Sequence, residues 1–528
     1  MRLASGGRID RTQPLSFRFD GKVYQGVAGD SLASALLANG VKLFGRSFKY
    51  HRPRGLLAAG VEEPNALVEL RSGPRHEPNV RATVAELYDG LEANSQNRWP
   101  SLAFDVSGIN DVFSPFLGAG FYYKTFMGPT RGSWHFYERI IRKAAGLGTA
   151  PALPDPDRYE KTNAHCDLLV VGAGAAGLAA ALVAARAGVK VMLVEQDKDL
   201  GGALLGEKSE QLDEWVAATV GELANSPNVR LLTRATAFGY YDHNVVGLVE
   251  RVADHLPQPA THQPRQRLWT VRAKQVVLTT GAHERPLLFG NNDLPGVMLA
   301  GAVRTYLNRW AVLPGRQPVV FANHDEAYLT AIDLADAGAT VAAVVDPRPI
   351  ANPDLVTALA QRGIEHLPGH VVVKARGGRF INAAEVAALD ANGEATEPRR
   401  VIICDLLAMS GGWNPAVQLH AQSGGKPRWD QRLSTFVPGE SKQAERSAGA
   451  AGGQLTLRAA LASGAEAGFE LTSLLGRNAT PLPLPEVEPE PEAVPAELWE
   501  VPGSRGKSFV DFQHDVTTKD LKQAVQEG

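Results

Sequence analysis

The sequence predicts an α/β chain with two dinucleotide-binding folds in series, preceded by a small β-rich domain. Three observations predict it. Residues 167–202 hold a complete strand, glycine loop, helix and strand around Gly172, Gly174 and Gly177. Residues 318–348 repeat that spacing without the glycines. Residues 15–40 read as strand, tight turn, strand and helix. A length of 528 residues exceeds one domain. The composition, 44% hydrophobic and 21% charged, is that of an ordinary globular protein.

The bulk numbers also exclude. A net charge of −3 leaves no basic footprint for nucleic acid or a membrane surface. No apolar run reaches the length of a membrane span, and the N-terminus has no apolar core of a secretory signal. Two cysteines, Cys166 and Cys404, point to a reducing, cytoplasmic setting. Four thiolates are not available, so no iron–sulfur cluster is expected in this chain.

The first unit, DLLVVGAGAAGLAAALVAARAGVKVMLVEQDKDLGG, is organised for a dinucleotide. Leu168–Val171 reads as a buried strand. Gly172 permits the tight turn, Gly174 lets the backbone approach a pyrophosphate, and Gly177 lets helix and strand pack closely. The helix N-terminus offers free N–H groups and partial positive charge. Glu195, 21 residues after Gly174, ends the second strand where a carboxylate can accept from a ribose. From the residues alone, FAD is the default occupant.

Before this unit, LSFRFDGKVYQG alternates around Asp20-Gly21, a hairpin signal. Asp30 is expected to cap the helix SLASALLANG. This order resembles the β-grasp fold of plant-type ferredoxins, but GRSFKYHRPRG (45–55) stands, without cysteine, where the cluster loop belongs. His51, Arg52 and Arg54 make that loop basic. It reads either as a seat for an anionic group or another domain's carboxylate, or as a structural loop. Residues 98–164 form an aromatic-rich connector containing Phe121, Tyr122, Tyr123, Phe126, Trp134, Phe136 and Tyr137. It reads equally as a docking surface or as an anchor for an irregular segment.

After Glu195, a strand ending in Thr279-Thr280-Gly281-Ala282 returns beneath the nucleotide. The first fold is therefore split, 165–293 and 401–476, around an insertion at 294–400. The insertion carries Ala322, His324 and Ala327 at its glycine positions. A side chain at the second position blocks approach to a pyrophosphate, so this fold is expected to bind no dinucleotide of its own. His324 and Asp325 are expected to cap the following helix. Residues 477–506, rich in Pro and Glu, read as a stiff linker. Residues 507–528 read as the start of a truncated small helical domain, with Thr517 and Asp520 capping its helix. The remaining domain is 1–97. No histidine falls at metal-ligand spacing, and no catalytic residue or metal ligand is assigned. His283 is the best placed histidine.

The motifs GDSLASALLANG, GRSFKYHRPRG, GFYYKTF, GAGAAG, TTGAHERP and FVDFQHDVTTKD together resemble the alpha subunits of heterotetrameric sarcosine oxidases. The resemblance implies a disulfide-reductase-like fold with two dinucleotide-binding domains behind a cysteine-free β-grasp ferredoxin-like domain. It implies one subunit of an oxidoreductase that demethylates sarcosine to glycine with oxygen and passes the one-carbon unit to tetrahydrofolate. The folate would be bound by a C-terminal half not present here. Its partners would be a beta subunit carrying FAD and the sarcosine site, and small gamma and delta subunits. NAD, or else FAD, would fill the GAGAAG site, and FMN an interface with beta near Lys507 and Ser508. Carried across motif by motif, the nucleotide site comprises Gly172, Gly174, Ala176, Gly177, Glu195, Gln196, Asp197, Ala203, Ala237, Ala450 and Leu455. Alternatives are the alpha subunit of another amine, opine or proline dehydrogenase, and a catalytically silent scaffold that holds NAD.

Overall fold

The computed structural model describes residues 1–117, 126, 128, 132–144, 146–491 and 493–527. Phe121, Tyr122 and Tyr123 of the connector lie outside the described residues.

The N-terminal domain is a five-stranded sheet in the order Lys22–Ala28, Asp10–Phe19, Glu92–Ser95, Leu67–Leu70, Glu77–Arg81. Its first hairpin turns at Asp20 and Gly21, both at positive φ (48° and 78°), as a two-residue hairpin turn requires. The helix Leu32–Ala38 lies against this sheet and buries Leu32, Ala33, Ala35, Leu36 and Leu37, with Ser34 the one buried polar residue among them. Its cap is Ser31, in a reciprocal capping box with Ser34. Asp30, expected in that role, stands behind the cap: it accepts the Ser34 hydroxyl at 2.6 Å and pairs with Arg2 at 2.5 Å.

The first nucleotide fold is built on Tyr159–Val171, which pairs in parallel with Val191–Val194 on one side and Gln266–Leu278 on the other. Val229–Leu232 extends one edge, and Glu445–Ser447 runs parallel to Gln266–Leu278. An antiparallel meander, Ala235–Tyr241 and Val245–Glu250, completes the sheet. The helix Ala175–Arg186 is alanine-rich and buried along nearly its whole length. It can be so because a second helix, Leu457–Leu474, crosses it at backbone distance. A Cβ on Gly464 would stand 2.2 Å from the Ala176 carbonyl oxygen, and one on Gly468 would stand 2.7 Å from that of Ala180.

The second fold is a parallel five-stranded sheet in the order Val297–Leu299, Leu406–Ser410, Pro318–Ala322, Ala343–Asp346, Glu365–Pro368. A three-stranded antiparallel meander, His370–Gly377, Ile381–Ala388 and Arg400–Ile403, packs beside it. One expected boundary shifts. Leu406–Ser410, assigned to the first fold, is a fully buried strand of the second sheet, so the chain leaves the insertion only after Ser410. An uninterrupted apolar strand fits either parallel sheet, and only the pairing decides.

The C-terminal residues also differ from expectation. Phe509 and Phe512 are buried in the second fold's apolar cluster with Tyr50, Leu287 and Phe289. The side chain of Asn292 brackets the Phe509 backbone, accepting from its N–H at 2.9 Å and donating to its carbonyl at 3.0 Å. Residues 507–517 therefore complete an existing core rather than begin a separate one. The expected capping box is present: the Asp520 N–H donates to the Thr517 hydroxyl at 3.3 Å, and Asp520 accepts from the Thr517 N–H at 2.8 Å.

The Pro/Glu-rich segment is a strap. At one end the Leu457 N–H donates to the Glu490 carboxylate at 2.5 Å, and Arg458 donates to the Val487 carbonyl at 2.5 Å. Further on, the Ala496 N–H donates to the Asn323 carbonyl at 2.8 Å, and the Asn323 amide donates to the carbonyls of Ala496 and Leu498. Val501 then joins Leu288 at 2.8 Å. The strap thus runs from the first fold's closing helix to the turn of the second fold.

Candidate functional site

The glycine loop has the geometry its residues predict. Gly172 has φ 100°, and a Cβ there would stand 2.3 Å from the Thr279 carbonyl oxygen. A Cβ on Gly177 would stand 1.9 Å from the Gly172 carbonyl oxygen, so this glycine serves packing. Gly174 is different: its only neighbour within 4 Å of a Cβ is Gly202 Cα at 3.9 Å, and it lines open space. It is the residue before the helix Ala175–Arg186, whose first N–H groups have no intrahelical acceptor.

That open space is a cavity of about 570 Å³, within the range of small-molecule sites. It is walled by the glycine loop, the 203–207 turn, Ala237 and Phe238, the Thr279–His283 strand end, and Ala450 and Leu455. Of the expected residues, Gly172, Gly174, Ala176, Glu195, Gln196, Ala203, Ala237, Ala450 and Leu455 line it together. Gly177 lies behind the loop. Asp197 lies beside the site and is taken by Arg309 at 2.6 and 2.8 Å. The guanidinium holds its carboxyl below the usual range against the opposing effect of burial.

Glu195 is buried and accepts from the Ala173 N–H at 2.7 Å and the Asp197 N–H at 2.9 Å. Burial raises its pKa, and these N–H donors oppose the shift. The second oxygen lone pairs remain for ribose hydroxyls. The residues present therefore fit a dinucleotide: a cradle that a side chain would fill, a helix N-terminus for the pyrophosphate, and an acid at the second strand end.

Several wall residues were not singled out in the sequence. The second fold and the strap contribute Arg304, Glu326 and Glu490, joined by Glu207 and Trp413. Arg304 is held by Glu207 at 3.0 Å and Asp333 at 2.8 Å. Glu326 accepts from the Trp413 indole at 2.6 Å, and burial pushes its carboxyl up to about 7. Behind them Glu284 accepts from the Gly301 N–H at 2.8 Å and is pushed up to about 8, again by burial. His283 lines the cavity as well. The one available signal was an acid, Glu326, beside the helix start of a fold stripped of its glycines. His324 and Asp325, expected as caps, do other work. His324 is buried with Nε2 2.7 Å from the Ser410 hydroxyl, and Asp325 pairs with Arg348 at 2.7 Å.

The basic loop meets carboxylates of other segments, one of the two roles open to it. Arg54 is fully buried and pairs with Asp293 at 2.8 Å and with Asp515. Arg52 pairs with Asp293 at 2.6 Å and Asp111 at 2.9 Å, and His51 with Asp105 at 2.7 Å. Lys507 is 2.5 Å from Asp111, and the Ser508 hydroxyl is buried without a hydrogen-bond partner. Among the described residues no group of three His, Cys, Asp or Glu is placed to hold a metal ion. No helix is long and apolar enough to cross a membrane among them.

Fold and cavity define an oxidoreductase-type chain with two dinucleotide-binding folds behind a ferredoxin-like domain. Residues 167–279 match the model of FAD dependent oxidoreductases. A solved L-proline dehydrogenase from P. horikoshii shares the fold across 100% of this chain and 87% of its own, with TM-score 0.61 at 19% identity. The chain is related over its whole length to sarcosine oxidase alpha subunits. It is 52% identical to the subunit alpha of Rhizobium meliloti (strain 1021), over 100% of this chain and 53% of that protein. It is 37% identical to that of Corynebacterium sp. (strain P-1), over 99% of this chain and 50% of the other. The chain spans about half the length of these relatives.

One expectation is corrected. Residues 12–98 match the model of a 2Fe-2S iron-sulfur cluster binding domain, against the expectation of no iron–sulfur cluster in this chain. That expectation weighed thiolates alone, whereas the β-grasp core, from the Asp20-Gly21 hairpin to Glu92–Ser95, is that of a cluster-binding family. The matched residues contain no cysteine, and the 45–55 loop holds paired guanidinium groups. Those residues do not fit four-thiolate ligation.

Proposed function

We propose that this chain is the nucleotide-holding part of the alpha subunit of a heteromeric sarcosine oxidase. The observation that carries the reading is the 52% identity along the whole chain, together with a cavity built around the glycine loop. The complex would oxidise sarcosine at its CH–NH bond to give glycine, with oxygen as acceptor. It would transfer the one-carbon unit to tetrahydrofolate. A beta subunit would carry FAD and the amine pocket, and small gamma and delta subunits would complete the assembly in the cytoplasm.

This chain's own share is to bind and orient a dinucleotide, NAD or FAD, in the GAGAAG cavity. Such a nucleotide supplies hydride or electron transfer when bound. The protein's part is position and field: loop and helix N-terminus for the pyrophosphate, Glu195 for the ribose. The connector, with Trp99, Phe104, Val112, Phe113, Phe116 and Phe136 exposed, is the face assigned to the other subunits.

Two measurements test the proposal. Mass spectrometry of the small molecule released on denaturation should find a dinucleotide. Sarcosine-dependent peroxide formation should require the partner subunits; turnover by this chain alone would refute the assignment.

A further inference from the structure

The second fold has a ligand crevice of its own, and this chain fills it. In a parallel sheet, ligands bind beyond the carboxyl ends of the strands, where neighbouring connections diverge. Pro318–Ala322 and Leu406–Ser410 are neighbours that end side by side, Ala322 opposite Ser410. Just beyond those ends stand Asn323 and Gly412, and the strap lies across both. Asn323 is fully buried. Its carbonyl accepts from the Ala496 N–H at 2.8 Å, and its amide donates to the carbonyls of Ala496 at 3.2 Å and Leu498 at 3.3 Å. Gly412 has φ 91°, and a Cβ there would stand 3.0 Å from Pro495. Leu288 continues the pairing: its N–H donates to the Trp499 carbonyl at 2.7 Å, and its carbonyl accepts from the Val501 N–H at 2.8 Å. This is main-chain recognition of an extended segment, as when a peptide adds to a sheet edge. Ala493, Pro495 and Val501 are buried, whereas Glu497 and Glu500 are exposed.

The groups a nucleotide would need in this crevice are already taken. The first N–H groups of the helix Tyr328–Asp336, those of Tyr328, Leu329 and Thr330, donate to the carbonyls of Asp325, Glu326 and Ala327 at 3.1, 3.0 and 3.2 Å. Asp346, the acid ending the strand Ala343–Asp346, is fully buried. It accepts from the Tyr328 hydroxyl and the Arg348 guanidinium, both at 2.7 Å. What stays open is a grip for main-chain amides. We infer that the crevice of the second fold is a peptide site for an extended, proline-containing segment, and that residues 493–501 of this chain are its resident ligand. Asn323 reads that segment: both donor hydrogens of its amide are spent on strap carbonyls. Pro495 against the bare Gly412 fixes the register. The inference is independent of what the first fold's cavity holds.

The experiment empties the crevice within the full chain, by replacing residues 493–501 with alternating Gly and Ser of the same length. A fluorescein-labelled peptide of residues 493–501 should bind this chain in fluorescence polarisation. It should not bind the unaltered chain, where the tethered segment holds the crevice at high effective concentration. Asn323→Ala in the emptied chain should weaken the peptide roughly tenfold or more, because two hydrogen bonds to carbonyls are lost. A peptide of scrambled order should not bind. Hydrogen–deuterium exchange on the otherwise unaltered chain carries the test should the emptied chain fold poorly. There Asn323→Ala should speed exchange across 493–501 by about tenfold, while Leu406–Ser410 and Tyr328–Asp336 keep their protection. A folded, emptied chain that ignores the peptide, equal binding of the scrambled peptide, or strap exchange unchanged by Asn323→Ala overturns the inference.

Discussion

Gly174→Ala and Gly177→Ala separate the two jobs of one glycine loop. At Gly174 the backbone (φ −73°, ψ −170°) suits any residue, and a Cβ meets nothing nearer than 3.9 Å. Alanine there should leave the empty protein as stable, or more stable by about 0.4–1 kcal/mol through the unfolded chain. The new methyl, however, enters the cavity where the pyrophosphate must approach the backbone. A tenfold weaker dinucleotide corresponds to ~1.4 kcal/mol. Ligand at one hundred times its dissociation constant stabilises the native state by ~2.7 kcal/mol, so about half of that protection should vanish. At Gly177 a Cβ would sit 1.9 Å from a carbonyl oxygen and 2.7 Å from the Thr279 hydroxyl. Alanine must push helix from strand, at a cost of about 1–3 kcal/mol or more without any ligand. Thermal melts with and without NAD+ or FAD, plus titration calorimetry, read both. Wild-type affinity in Gly174→Ala, or an unchanged melting temperature in empty Gly177→Ala, would refute the assignment of roles.

Arg54→Met should destabilise by about 3–5 kcal/mol, because it strands the buried carboxylates of Asp293 and Asp515. Denaturant titration measures the loss, and proteolysis should release the segment after residue 507 first. Gly464→Val should drive the closing helix off Ala176, whose carbonyl oxygen lies 2.2 Å from the position of a Cβ; both stability and dinucleotide affinity should fall in calorimetry. Glu284, at about 8 against its ordinary 4.5, gives a pH signature. The folded chain keeps a proton that the unfolded chain releases between these values, so its contribution is full below pH 4.5 and is lost as pH rises towards 8. Glu284→Gln should flatten that fall in urea midpoints measured from pH 5 to 8.

The glycine loop was legible because its constraints are local. A strand of apolar residues, three spaced glycines and an acid 21 residues after Gly174 act within one βαβ unit. Its closing segment, Ala450 and Leu455, came only through the family resemblance, since nothing in an alanine-rich helix says what it covers. The strand Leu406–Ser410 carries the same apolar run whichever sheet receives it. Ser31 and Asp30 are both good caps, and only backbone geometry chose between them. The acids of the far wall, Glu207, Glu326 and Glu490, lie in three separate segments whose meeting is a tertiary event. The strap reads in sequence as a stiff linker because proline and glutamate signal extension. They do not signal the Asn323 amide that catches its carbonyls.

That strap has a consequence for time rather than affinity. Fastened to the Leu457–Leu474 helix at one end and to Asn323 and Leu288 at the other, it rivets two nucleotide folds that could otherwise pivot. It also contributes Glu490 to the cavity wall. A molecule held inside would rest against one strap residue, Glu490, so loosening those fastenings should shorten its stay.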